Sequence, residues 1–145
     1  SLSNNQLGAH ADTTVKIGSF TINVVGATLL TQAATPMLER GTAPRVVNIS
    51  STLGSIGTRA AFGTPSYAIS KAALNMATRQ LAFELSARGI VAVAIHPGWV
   101  RTAMGGAEAE LEPAAAVASV LGVIDRLRGA DAGRFLDWNG TEVPW

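Results

Sequence analysis

The 145-residue chain has no cysteine, which excludes disulfides, thiolate nucleophiles and thiolate metal ligands, and leaves the redox compartment unreadable. Charge is also scarce: 14% of residues are charged, the formal net charge is +1, and the arginines are scattered along the chain. No electrostatic footprint for nucleic acid results. The two histidines, His10 and His96, lie far apart and have no partners at ligand spacing, so no metal site is expected. The apolar runs near 20–38, 46–50 and 90–95 are too short for a membrane span or are broken by polar residues, and no transmembrane helix is expected. Ser1 to Gln6 has neither the basic start nor the apolar stretch of a secretory signal, which makes a cytoplasmic location the default expectation.

Apolar residues, by contrast, make up 48% of the chain, enough for one domain with a buried core. From Val15 to Arg40 they recur at helical spacing, predicting a long and mostly buried helix with Pro36 as a candidate kink and Gly41 as the stop. Arg45 to Ser50 is short and β-branched, as for a strand covered on both faces. Ser51 to Pro65 reads as a loop and Ser66 to Arg88 as a second helix. Ile90 to Ile95 is a second buried strand stopped by Pro97-Gly98. A third helix from Glu112-Pro113 to about Leu127 and a last strand from Gly133 to Trp138 complete the pattern. Helix and strand alternate throughout, which predicts a parallel α/β sheet with crossover helices. Ligands of such sheets bind beyond the carboxyl ends of the strands, where Ser51, the loop to Tyr67, and Pro97 to Gly106 all fall.

The chain has a single tyrosine, Tyr67, and one of its two lysines, Lys71, follows four residues later at the start of the second helix. Positions i and i+4 share a helix face, so phenol and ammonium point the same way. A phenol ionises near pH 10, and a fixed neighbouring cation favours its anion. The pair has the makings of an activated proton donor, although such pairs also occur on solvated helices.

Taken together, Asn48-Ile49-Ser50-Ser51 at a strand end, Tyr67-x-x-x-Lys71 on the next helix, and Pro97-Gly98-Trp99-Val100-Arg101-Thr102 after the next strand resemble the carboxyl-terminal portion of a short-chain dehydrogenase/reductase. Asn23-Val24-Val25-Gly26 is similar to that family's helix-borne asparagine motif. The tail from Phe135 to Trp145 resembles the sniffer-like and C-factor-like carbonyl reductases within it. The resemblance implies a Rossmann-like parallel sheet and carbonyl–alcohol interconversion. Tyr67 would be the general acid/base. Lys71 would assist it and bind the nicotinamide ribose. Ser51 would hydrogen-bond the substrate oxygen. Asn23 would hold a water that links Lys71 to solvent. Pro97, Gly98, Val100 and Thr102 would hold the carboxamide and phosphate end of NADPH or NADH, with NADPH favoured because similar reductases use it. Ser50 and Ser55 rival Ser51, which stands sixteen residues before Tyr67 where the family spacing is shorter. Ser51 is preferred as the last residue of its motif. Trp99, Trp138 and Trp145 are expected to pack or to form interfaces, with Trp99 and Met104 near a substrate loop, and His96 to make a structural hydrogen bond.

No Gly-x-Gly-x-x-Gly turn for a cofactor pyrophosphate occurs anywhere in the sequence, and no strand pattern precedes the Asn23 helix. Asn4-Asn5 is similar to the family's Asn-Asn-Ala-Gly turn, but Gln6-Leu7-Gly8 does not continue it. The fold expected is therefore a Rossmann-like domain without its N-terminal dinucleotide-binding βαβ half. Such a chain leaves a strand edge unpaired and two helix faces bare, a configuration prone to association. Three origins stay open: part of a longer protein, a half completed by another chain, or a fragment that rearranges. Alone, the 145 residues are expected to be inactive. The contrasting expectation is a non-catalytic, reductase-like protein acting in self-association or partner binding. The family resemblance implies a homo-oligomer and a small carbonyl or alcohol substrate.

Overall fold

The computed structural model describes residues 17–145; the readings of the lead-in, Asn4-Asn5, His10 and the helix start at Val15 lie outside them. The first helical run, α1, spans 17–38 and comprises Ile17–Phe20, a π-helical stretch Thr21–Gly26, and Ala27–Leu38. Strand β1 is Arg45–Ile49, followed by a 3₁₀ turn at Thr52–Gly54. Helix α2 is Pro65–Ser86, strand β2 is Val91–His96, helix α3 is Pro113–Arg126, and strand β3 is Phe135–Asp137. The predicted order of helices and strands is present, and the boundaries differ by one or two residues at most ends, as fraying ends do.

The three strands form one parallel sheet in the order β1-β2-β3, with Ile49 opposite Ile95 and Ile95 opposite Leu136. Central β2 is paired on both sides, and Ala92, Val93, Ala94 and Ile95 are fully buried. Its alternation divides the core. Val93 and Ile95 pack with Val120, Val123, Leu127 and Leu136 beneath α3, while Ala92 joins Ala82, Leu85 and Ile90 beneath α2. The small Ala92 and Ala94 let α2 lie close to the strand. Carrying every strand's carboxyl end to the same pole, this parallel arrangement assembles the site.

Two expectations need correction. Strand β1 is not covered on both faces: Val46 and Val47 are half-buried and Ile49 is 47% exposed. The cause is its outer edge, which has no neighbouring strand among the described residues. Nor is α1 mostly buried, because only Thr31 and Thr35 are, while Ile22 is 75% exposed and Leu30 71%. Its apolar periodicity is real but has no sheet to face. On α2, Ile69, Met76 and Phe83 recur every seven residues and stand exposed. Among the described residues no helix is long and apolar enough to cross a membrane.

This division predicts unequal costs of truncation. Ile95→Ala should lower the unfolding free energy by about 2–5 kcal/mol in a urea titration, whereas Leu30→Ala should change it by no more than about 0.5 kcal/mol. Equal losses would mean that the α1 face is covered.

Candidate functional site

The ends of β1 and β2 lie side by side, and the Ser50 N–H donates to the Ile95 carbonyl at 2.7 Å. The chain then turns sharply. Ser51 adopts extended backbone and its Oγ accepts the Leu53 N–H at 3.2 Å, capping the Thr52–Gly54 turn. Gly54 cannot carry a side chain here, since a Cβ would come within 2.6–2.8 Å of the Lys71 and Ala72 backbone and the Lys71 Cβ. The loop is therefore pressed onto α2 at the level of Lys71.

Helix α2 starts with Pro65 in its first turn, where a missing N–H costs nothing. Tyr67 lies in that turn, and Lys71 one turn later on the same side. The Lys71 Nζ stands 5.7 Å from the centroid of the Tyr67 ring and donates to the Ile49 carbonyl at 2.8 Å. Lys71 is only 8% exposed, and burial holds its pKa below the ordinary lysine value. The ammonium thus ties α2 to the end of β1 while facing the phenol ring.

Asn23 lies in the π-helical stretch, a distortion that frequently marks functional sites because it re-aims side chains. Its Nδ2 donates to the Ser70 hydroxyl at 3.0 Å, and that hydroxyl donates to the Tyr67 carbonyl at 2.8 Å. Asn23 therefore meets α2 between Tyr67 and Lys71. Of the rival serines, Ser50 is engaged with Asn75 at 2.5 Å and Ser55 with the Pro144 carbonyl at 2.6 Å. Ser51 Oγ accepts the Leu53 N–H, and Ser51 lines a cavity at the strand ends.

Beyond β2, Pro97-Gly98 leads into a loop closed by pairing of Val100 with Leu111 and by the Arg101–Glu112 ion pair. Gly98 has φ +86°, and a Cβ there would strike Leu111 Cδ1 and meet Trp138 Cδ1 at 2.9 Å. The Thr102 hydroxyl accepts the Gly105 N–H at 3.1 Å, and the Trp99 indole donates to the Gly105 carbonyl at 2.8 Å.

A cavity of about 770 Å³ opens between these segments, lined by Ser51, Tyr67, Pro97, Gly98, Val100 and Thr102. Six of the eight residues singled out in the sequence thus line one cavity. Lys71 and Asn23 do not line it: Lys71 backs Tyr67 from inside the protein and Asn23 braces its helix. Leu53, Trp99, Met104, Val117 and Leu121 make much of the lining apolar, and among the described residues no Asp, Glu, Lys or Arg lines the cavity. Val117 and Leu121 escaped the sequence reading, although their i, i+4 spacing on α3 was the available signal. Of the tryptophans, Trp145 stacks on Phe135 with centroids 5.5 Å apart and Trp138 packs on the core, whereas Trp99 and Met104 reach the cavity.

His96 also lines the cavity, but the structural hydrogen bond expected of it is absent at Nδ1, which is buried without a partner among the described residues. The ring ends β2 opposite Asp137. Burial pushes its pKa down and the Asp137 charge partly opposes this.

With this geometry in view, comparison with known proteins is specific. Residues 4–112 match the short chain dehydrogenase family. C-signal of Myxococcus xanthus is 45% identical over 127 residues, covering 88% of this chain and 76% of that protein. Short-chain dehydrogenase srdF of Neurospora crassa is 37% identical over 92% of this chain and 58% of its own. Among solved structures, the carbonyl reductase Sniffer of D. melanogaster superposes with a TM-score of 0.87 at 31% identity over 93% of this chain and 60% of its own. An NADPH-bound carbonyl reductase from chicken fatty liver gives 0.78 at 36% identity over 95% and 62%. The chain therefore spans about three fifths of the length of the srdF protein and of both reductase structures, matching their carboxyl-terminal portion. In sequence and in fold, this chain belongs to the short-chain dehydrogenase family.

Proposed function

We propose that the chain provides the catalytic half of an NAD(P)-dependent oxidoreductase that interconverts a carbonyl and an alcohol. The observation that carries the reading is that Ser51 and Tyr67 open onto one cavity with the Lys71 ammonium held 5.7 Å behind the Tyr67 ring. In the direction of reduction, Ser51 donates a hydrogen bond to the substrate oxygen and stabilises charge that develops there. Tyr67 passes its proton to that oxygen as general acid, and the Lys71 cation offsets the negative charge left on the phenol. Asn23, linked to Ser70, braces the helix from which both groups project, and its proposed role is to order a water on the route from Lys71 to solvent.

The uncharged wall formed by Pro97, Gly98 and Val100, with the Thr102 hydroxyl at its rim, fits a nicotinamide ring and its carboxamide. That cofactor, when bound, supplies the hydride. NADPH is favoured over NADH, since the chicken reductase at 36% identity is described with NADPH bound. The sequence has no glycine-rich turn for the pyrophosphate, so these 145 residues alone are proposed to be inactive. A cavity lined by Leu53, Trp99, Met104, Val117 and Leu121 and, among the described residues, by no Asp, Glu, Lys or Arg favours an uncharged, largely apolar carbonyl compound as substrate. The proposal includes a cytoplasmic location.

A second reading, association without catalysis, draws support from the exposed Ile69, Met76 and Phe83 of α2 together with the unpaired edge of β1. The two readings are compatible if a homo-oligomer forms through α2.

In the protein completed by its phosphate-binding half, Tyr67→Phe should lower kcat by roughly 10²–10⁴-fold while leaving cofactor affinity within about twofold, as measured by steady-state kinetics and a fluorescence titration. Undiminished turnover would remove Tyr67 from the mechanism. For the 145 residues alone, a titration with NADPH should show no saturable binding, and micromolar saturation would refute their inactivity. Met76→Glu with Phe83→Glu should convert an oligomer to monomers in sedimentation, and an unchanged assembly would place the interface elsewhere. Lys71 adds a pH signature. Its folded pKa lies below 10.5, so between those two values the unfolded chain binds more protons and stability must rise with pH. The stability of the parent relative to Lys71→Met should therefore increase as pH rises toward 10.5 in urea titrations, and a flat or falling difference would contradict the burial of a charged Lys71.

A further inference from the structure

Asn75 lies one helical turn beyond Lys71 and two beyond Tyr67 on α2, and is 3% exposed. Both ends of its carboxamide are used. Oδ1 accepts the Ser50 hydroxyl at 2.5 Å, and Nδ2 donates to the Gly54 carbonyl at 3.3 Å. Those two partners flank the three residues Ser51, Thr52 and Leu53, all of which line the cavity. One side chain of the helix that bears Tyr67 and Lys71 thus grips the serine-bearing turn at its two ends. Among the described residues the Ser51 hydroxyl itself receives only the Leu53 N–H, from inside the same turn. Its distance from Tyr67 is therefore set by how the turn is seated on α2.

We infer that Asn75 is a positioning residue that fixes Ser51 relative to Tyr67, so that both can reach one substrate oxygen. This rests on the catalytic reading of Ser51 and Tyr67 given above. The carboxamide is suited to the task because it presents an acceptor and a donor from one rigid plane. Alanine would leave a buried hydroxyl and a buried carbonyl without partners, and aspartate could keep the first bond but not donate the second. A small displacement of a substrate-orienting group is enough to slow a reaction strongly without loosening binding of the other reactant.

Two measurements test this independently of each other. By amide hydrogen exchange on the chain itself, Asn75→Ala should accelerate exchange at Gly54 and Ser55, whose N–H groups close the turn on Ser51 and Thr52, by about tenfold or more, and leave Val93 and Ile95 of the sheet unchanged. Ser50→Ala, which removes one grip without altering α2, should act in the same direction and guards against a variant that fails to fold. Unchanged exchange at Gly54 in both variants overturns the clamp whether or not the protein is a reductase. In the completed enzyme, Asn75→Ala should lower kcat roughly tenfold with the cofactor KM within about twofold, yet lower it by less than about twofold when Ser51 is already alanine. Equal losses in the two backgrounds would assign Asn75 a merely structural role. Failure of Tyr67→Phe to affect turnover would instead overturn the catalytic reading and leave the exchange result standing.

Discussion

The site depends on the hydrogen bond from the Lys71 ammonium to the carbonyl that ends β1. A buried cation must have a partner, and the one it takes, Ile49, precedes Ser50 and Ser51 directly. That bond fixes the rotation of α2 against the sheet, because a helix turned by one residue would swing Lys71 away from the strand end. With the rotation set, Tyr67 is carried to the mouth of the cavity and Asn75 to the serine-bearing turn. Gly54 makes the approach close enough, its Cα lying where any side chain would strike the helix backbone. Packing and chemistry are thus settled by the same few contacts.

Much of this was legible in the residues. The alternation of elements and the parallel sheet followed from periodicity and from Gly and Pro punctuation, and the carboxyl ends of β1 and β2 collected Ser51, Pro97 and Gly98 as the topology requires. The i, i+4 rule correctly placed Lys71 beside Tyr67. Burial was less legible. Periodicity reports which face of a helix is apolar and not whether anything covers it, so α1 and β1 read as buried and are not. The π-helical stretch at Thr21–Gly26 has no sequence signature, and the partner of Asn23 therefore had to be seen. Asn75 was not singled out within the second helix; only the loop folded back on it reveals its two bonds. His96 was expected to be satisfied at a strand end, and its buried Nδ1 has no partner among the described residues.

The bare surfaces are consistent with the span of the family match. The relatives srdF and the two reductases extend well beyond the portion matched here, and β1 is where a further strand would pair. Ile22, Leu30 and Met37 on α1 are the apolar residues left without a sheet. By contrast the α3 side of the core is closed by Val120, Val123 and Leu127 and needs nothing more. Ser51 follows the open-edged β1, and its turn is held to α2 by the Lys71–Ile49 and Asn75 hydrogen bonds rather than by a neighbouring strand.

The most direct measurement of the central claim is a crystal structure of the protein with a ketone or the corresponding alcohol in the cavity. The account predicts the ligand oxygen within about 3 Å of both Ser51 Oγ and Tyr67 Oη, with the Lys71 ammonium still bonded to the Ile49 carbonyl. A ligand oxygen that meets neither hydroxyl, or a Lys71 turned away from Ile49 to solvent, would contradict it.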